Sequence, residues 1–192
     1  MLKIIFQIYR PGLLAALAIL AAGCATAANP RSQIQPPLTM PTSPDCKFCQ
    51  LLASGEVAAR LPNLIADTPA AIAVVNRRPS APGHVTVILK NHLADSHEFD
   101  DTAFAGIGSL LGKLSTALKS KYHPQRVIFL GDGKPTAHPH LHLIPESAGA
   151  KLDLGAIVAD LNLAIRPDTL TIEQLSAQAV ELKTALAVPA SR

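Results

Sequence analysis

The sequence predicts an α+β domain, a mostly antiparallel sheet with helices packed on one side, and three observations carry that reading. Short β-prone runs recur at Leu64 to Asp67, Ile72 to Asn76, His84 to Leu89, Arg126 to Leu130 and His138 to Ile144. Between the third and the fourth lies a long stretch with an apolar residue every three or four positions. A second such stretch follows the last run.

The first segment stands outside that domain. Met1 to Arg10 carries Lys3 and Arg10, and Leu13 to Ala22 is an uncharged apolar run of ten residues. This is the organisation of a secretory signal over residues 1–23, and ten residues are too few to span a bilayer comfortably. An apolar core helix is the competing reading, opposed by a run that is apolar on every face beside N-terminal cations. Two processing routes are open. Ala21-Ala22-Gly23-Cys24 resembles the lipobox of bacterial lipoproteins, whose cysteine is diacylated after cleavage just before it, although Ala21 replaces the usual large aliphatic residue. Cleavage after Ala25-Thr26-Ala27 is the other. The first gives a use to Cys24, otherwise a lone thiol in an exported protein. Both imply export, and the first implies a periplasmic protein tethered to the membrane by a lipid on Cys24.

Residues 24–44 read as a tether, because Pro30, Pro36, Pro37, Pro41 and Pro44 each fix φ and lack a donor. The folded domain is expected from about Asp45. Residues 46–54 suit a short helix ended by Gly55, and a Pro82-Gly83 turn leads into His84 to Leu89. Asp100 is placed to cap a helix whose stripe is Phe104, Ile107, Leu111, Leu114 and Leu118. Gly131 to Ala137 reads as a loop. The chain turns helical again after Lys151, and Thr171 with Gln174 forms a capping box for a final helix carrying Leu175, Ala179, Leu182 and Leu186.

Composition narrows the function. A chain of 192 residues makes one domain rather than two. Seventeen Lys and Arg against fourteen Asp and Glu give +3, yet removing residues 1–23 leaves 15 − 14 = +1, so a basic nucleic-acid footprint is excluded. The 48% apolar content excludes a polar disordered chain, and three Cys are too few for a disulfide scaffold.

Three of the seven histidines fall in His138-Pro139-His140-Leu141-His142. Strand side chains alternate, so these imidazoles share one face, about 6–7 Å between neighbours, with Leu141 and Leu143 on the other. The alternative is the solvent face of an edge strand, which Pro139 would suit, though such a face draws Thr, Lys or Ser as readily as His. The motif resembles the signature of the histidine-triad (HIT) superfamily, His-x-His-x-His followed by apolar residues. Upstream, the segment Val75 to Val85, with Asn76, Pro79 and Gly83-His84, is similar to that family's second signature, an Asn or Asp, then Pro, then a Gly-His entering a strand. The order of elements from Cys46 to Glu146 is similar as well.

The resemblance implies a HIT-like fold over residues 45–150, with a C-terminal helical extension over 151–192. It implies a nucleotide hydrolase or nucleotidyl transferase that cleaves at the α-phosphate of a nucleoside phosphoramidate, anhydride or dinucleoside polyphosphate. His140 would attack phosphorus and form a covalent nucleotidyl-histidine, chemistry that suits imidazole near neutral pH. His142 would bind phosphate oxygens, and His84 would orient the triad. Asn76 would bind the ribose hydroxyls, with Val75 and Ile65 beside the base; alone, Asn76 reads equally well as a turn residue.

Cys46 and Cys49 form a Cys-x-x-Cys pair, which by itself suits zinc, a disulfide or a redox site. A subset of HIT proteins, and the related galactose-1-phosphate uridylyltransferases, hold structural zinc with such a pair and two histidines, here His92 and His138. Two thiolates and two imidazoles would close a tetrahedral site. His138 then becomes a scaffold ligand, leaving the chemistry to His140 and His142. Those transferases carry Gln at the position of His142, so the hydrolase branch is the better match.

The chain departs from the family in the short loop Gly131 to Ala137, which lacks the Gly-Gln-Ser or Gly-Gln-Thr run that contacts phosphate. Thr136 by its hydroxyl or Lys134 by its charge would take that place. An exported nucleotide- or zinc-binding module that has lost catalysis is therefore the alternative function, and metal handling by the His/Cys cluster is a third. Family members often form homodimers, and the sequence shows no interface signal of its own.

Overall fold

The computed structural model describes residues 43–53, 57, 61–93, 98, 100–132, 138–161 and 167–187. The signal over 1–23, nearly all of the 24–44 tether, Cys24, Gly55, Lys134 and Thr136 lie outside the described residues.

Helix α1 (Lys47–Ala53) precedes strands β1 (Leu64–Asp67), β2 (Ala71–Val75) and β3 (Val85–Leu89). Helix α2 (Asp101–Tyr122) leads to β4 (Arg126–Asp132) and β5 (His140–Glu146), followed by α3 (Leu154–Leu161) and α4 (Ile172–Ala187). The five strands form one antiparallel sheet in the order β1-β2-β3-β5-β4. This is the α+β architecture the sequence predicts. The histidine strand is an inner one, bonded to β3 on one side and β4 on the other, which excludes the edge-strand reading. It starts at His140 rather than His138, so Pro139 sits just before the ladder, where its missing N–H costs no strand pairing.

Alternation divides the strands cleanly. Ala71, Ala73 and Val75 of β2 and Val85 and Val87 of β3 face a core completed by Leu110, Leu114 and Leu118 of α2 and Leu175, Ala179 and Leu182 of α4. Ile72, Val74 and Ile88 point to the opposite face, where Phe48, Leu51 and Leu52 of α1 pack on them. Both faces of the sheet are thus covered, which is why β2 and β3 read as continuous apolar runs. The long helices lie together on one face, while α1 lies on the other beside the site.

One residue of the expected α2 stripe is misassigned. Phe104 is 60% exposed, whereas Leu110 is buried and Leu111 is only partly so. The buried face of α2 runs through Ile107, Leu110, Leu114 and Leu118, and at 100° per residue Phe104 falls off its edge. The capping box of α4 forms as read: Gln174 N–H donates to Thr171 Oγ1 at 3.2 Å, and Thr171 N–H donates to Gln174 Oε1 at 2.8 Å.

The turn into β3 depends on glycine. His84 N–H donates to Ala81 O at 3.1 Å, closing a turn with Pro82 second and Gly83 third. Gly83 has φ of 82°, and a Cβ there would stand 2.5 Å from the Tyr122 ring at the end of α2. Only glycine meets both demands, so the helix end packs against the turn that delivers His84.

Candidate functional site

His140 and His142 project from the same face of β5, with ring centroids 5.3 Å apart, while Leu143 is buried in the core behind them. The rings stand closer than the strand repeat alone predicts because they meet edge to face, at 73°. His138, two residues before β5 begins, meets Phe48 at 5.3 Å, and the same phenyl ring meets His140 at 5.3 Å. Phe48 from α1 therefore wedges the first two imidazoles.

The protons of this cluster follow from their partners. His138 Nε2 lies 2.7 Å from Leu89 O and His140 Nδ1 lies 2.8 Å from His138 O. Carbonyl oxygens only accept, so both nitrogens carry hydrogen, and in neutral rings His138 Nδ1 and His140 Nε2 keep their lone pairs. Ser80 N–H donates to His84 Nδ1 at 3.1 Å, so neutral His84 holds its proton on Nε2 and donates it to His142 Nδ1, 2.9 Å away. His142 in turn carries hydrogen on Nε2. Two alternate residues of the strand thus present one acceptor nitrogen and one donor N–H on the same face, a pairing able to attack phosphorus while binding its oxygens.

His84 is wholly buried. Burial, with a smaller contribution from the charge of His142, pushes its pKa down to about 3. The expectation that it orients the triad agrees with its 2.9 Å contact to His142.

Behind His138 lies a second cluster. The ligand atoms of Cys46, Cys49, His92 and His138 all lie within 4.8 Å of one another, from α1, from the end of β3 and from the approach to β5. His138 Nδ1 is 3.4 Å from Cys46 Sγ, 3.6 Å from Cys49 Sγ and 3.2 Å from His92 Nδ1, and Cys49 Sγ is 3.3 Å from His92 Nδ1. One lone pair cannot serve three hydrogen-bond donors at once. A tetrahedral cage of two sulfurs and two nitrogens has edges of about 3.3–3.8 Å, taking metal bonds of about 2.0–2.3 Å, and these four of its six edges lie close to that range. Cys46 and Cys49 are free thiols, not a disulfide, and burial raises the pKa of Cys49 while it lowers that of His138. A bound cation relieves the first penalty by holding the thiolate. The four residues form a site that can hold a metal ion.

The triad face opens on a cavity of about 430 Å³. Phe48, Leu51, Leu61, Val74 and Ile88 form its apolar side, and Asn76, Thr86, His140 and His142 bring polar atoms. Lys47, Arg77 and Arg78 supply cations at its border, and Asp160, Leu161 and Asp168 come from the C-terminal extension. Arg77 pairs with Asp168 at 2.7 Å, and Thr169 N–H donates to Arg77 O at 3.1 Å, which straps the extension to the loop after β2.

Asn76 lines this cavity, as the resemblance implies, with Oδ1 accepting Arg78 N–H and Nδ2 donating to Thr86 Oγ1. One lone pair and one hydrogen of the amide remain for a ligand. Ile65 does not border the cavity; strand alternation turns it into the helix-side core. Val75 touches the cavity, but its side chain belongs to that same core. Phe48, Thr86, Arg77 and Asp168 were not selected from sequence. A phenylalanine inside a Cys-x-x-Cys pair and a lone hydroxyl in an aliphatic strand are signals for the first two; the Arg77–Asp168 pair joins distant segments and has no local signal.

The fold and the site together define an antiparallel sheet that presents His140 and His142 above a Cys2His2 cage. Residues 61–149 match the family described as HIT domain. The chain is 29% identical over 106 residues to an adenosine 5'-monophosphoramidase of Schizosaccharomyces pombe, covering 53% of this chain and 74% of that one. A HIT-like protein involved in cell-cycle regulation from Bartonella henselae superposes with a TM-score of 0.56 at 17% identity, covering 76% of this chain and 99% of that one. A zinc-bound histidine triad family protein from Mycobacterium smegmatis gives 0.54 at 22% identity, over 74% and 94%. At these identities the two structures establish the fold.

Because His84 is held neutral with a pKa near 3, the unfolded chain binds one more proton than the fold between pH 6.5 and 3. This contribution to stability is full above pH 6.5 and is lost as pH falls through that window, about 2 kcal/mol by pH 5. Urea denaturation of the wild type and of His84→Gln, which does not titrate, is expected to show a steeper loss in the wild type by close to one proton. Parallel curves would refute the buried neutral imidazole.

Proposed function

We propose that this chain is a nucleotide hydrolase that cleaves at the α-phosphate of a nucleoside phosphoramidate, anhydride or dinucleoside polyphosphate. The observation that carries the reading is the fixed proton on His140 Nδ1, bound to His138 O at 2.8 Å, which leaves Nε2 as a nucleophile on the cavity face. The activity named for the S. pombe relative supports the same class of reaction.

In this mechanism His140 Nε2 forms a bond to the α-phosphorus as the bond to the leaving group breaks, and the leaving group takes a proton from solvent, which the attacking water returns in the second step. Water then attacks the nucleotidyl-histidine, giving the nucleoside monophosphate and free His140. His142 Nε2–H donates to a non-bridging phosphate oxygen, whose charge grows in the transition state. The apolar side of the cavity takes the base and Asn76 the ribose. Thr136 or Lys134 of the short loop contacts the phosphates.

A panel of adenosine and guanosine phosphoramidates and dinucleoside polyphosphates tests this, read by turnover and by mass spectrometry for a nucleotidyl adduct on His140. His140→Ala is expected to lose at least about a thousandfold in kcat while keeping the wild-type circular dichroism. Binding by calorimetry with neither turnover nor adduct across the panel would replace the hydrolase with a binding module.

The Cys46, Cys49, His92 and His138 cage is proposed to hold a structural zinc ion, supported by its donor set and edge lengths and by the zinc-bound histidine triad relative. When bound, zinc would clamp α1 and the end of β3 to the approach to β5, with no open position for chemistry. Purified protein is expected to carry one zinc per chain by plasma mass spectrometry. Cys49→Ser is expected to lose it and to lower stability by about 4 kcal/mol at saturating zinc. Metal-free wild type with unchanged stability would exclude the site.

Residues 1–23 are proposed to direct export to the periplasm, with a lipid anchor on Cys24. Radiolabelled palmitate is expected to label the wild type and not Cys24→Ala, and the variant is expected to leave the membrane fraction. A wild type that takes up no label would rule out the anchor.

A further inference from the structure

Thr86 is the one polar side chain of β3; Val85, Val87, Ile88 and Leu89 are buried aliphatics. Valine would suit a strand there equally and would bury no hydroxyl. The hydroxyl is buried nonetheless, and it has partners. Asn76 Nδ2 donates to Thr86 Oγ1 at 2.9 Å, and Asn76 is itself oriented by Arg78 N–H, which donates to its Oδ1 at 2.8 Å. An oxygen that accepts from Asn76 sends its own hydrogen elsewhere. Thr86 pairs with His142 across the β3–β5 ladder, and Oγ1 lies 3.4 Å from His142 Nδ1.

That nitrogen already accepts from His84 Nε2 at 2.9 Å. Two chains of hydrogen bonds therefore leave the segment between β2 and β3 and end on one atom. One runs from Ser80 N–H through His84; the other runs from Arg78 N–H through Asn76 and Thr86. With Ser80 N–H on His84 Nδ1 and Asn76 Nδ2 on Thr86 Oγ1, each chain turns its last hydrogen toward His142 Nδ1. The shorter contact is the stronger, and the longer one limits rotation of the ring about it.

We propose that Thr86 is a positioning residue, a second donor to His142 Nδ1 that holds the ring in its Nε2–H tautomer and aims that N–H into the cavity. The proposal rests on the hydrolase reading only for its effect on turnover; the tautomer of His142 is a property of the free protein. It also gives Asn76 a second task, orienting Thr86 while its remaining amide valences serve a ligand.

The test uses full-length protein labelled with 15N in histidine, as wild type, Thr86→Val and Thr86→Ser. In the wild type, His142 is expected to show a bare Nδ1 and a protonated Nε2. In Thr86→Val the Nδ1 signal shifts and the two tautomers mix, whereas Thr86→Ser keeps the wild-type pattern. On a nucleotide substrate, Thr86→Val is expected to lower kcat about three- to fivefold with little change in KM, and Thr86→Ser to recover it. If Thr86→Val loses the wild-type circular dichroism, Thr86→Ala replaces it. His142 signals unchanged on removal of the hydroxyl, or a Thr86→Ser variant as impaired as Thr86→Val, would overturn the proposal. If no nucleotide is turned over by the wild type, the hydrolase reading fails while the nitrogen spectra still decide the role of Thr86.

Discussion

The rest of the site depends on how His138 uses its polar groups. Its Nδ1 faces two sulfurs and the His92 ring, its Nε2–H is fixed to Leu89 O, and its own carbonyl accepts the proton of His140. One residue thus belongs to the cage, to the end of β3 and to the chemistry. Reorienting its ring would disturb the cage geometry, and moving its backbone would release the proton that fixes the His140 tautomer. Phe48 adds a van der Waals link in the same direction, since it lies between the two cysteines of the cage and touches both histidine rings.

Charge is handled sparingly around this point. The domain has a net charge near +1 once residues 1–23 are removed, so there is no broad basic surface to draw in an anion. The polar groups at the cavity are few and placed: the donor N–H of His142, the remaining valences of Asn76 and the cations at its border. Arg77 is tied to Asp168, so the pair shapes the opening more than it attracts phosphate. The C-terminal extension is in this sense part of the cavity, though it lies beyond the stretch that matches the HIT domain.

Much of this was legible in the sequence because it is periodic or local. The strands follow from β-branched runs, the α4 cap from two residues three apart, and the common face of His140 and His142 from alternation alone. The cage required the resemblance, since a Cys-x-x-Cys pair does not name its partners 40 to 90 residues away. What sequence could not show is what depends on topology. Alternation around β1 decides whether Ile65 faces the cavity or the core, and only the sheet's pairing settles which face is which. Phe104 misled because steps of three and four fix a stripe but not which of its edges turns to the core. Arg77 and Asp168 meet only because the extension folds back.

The strand order has a consequence for folding. β4 and β5 pair as neighbours in sequence and form a local hairpin, whereas β5 meets β3 across a separation of 56 residues at the Thr86–His142 contact. The hairpin alone carries His140 and His142 without any partner from the β2–β3 segment, and the approach to it carries His138 without its cysteines. Docking that hairpin on β3 completes the sheet, the cage and the histidine relay together. Any opening that lifts β5 from β3 breaks the sheet, parts His138 from the cysteines and parts His142 from His84 and Thr86 together.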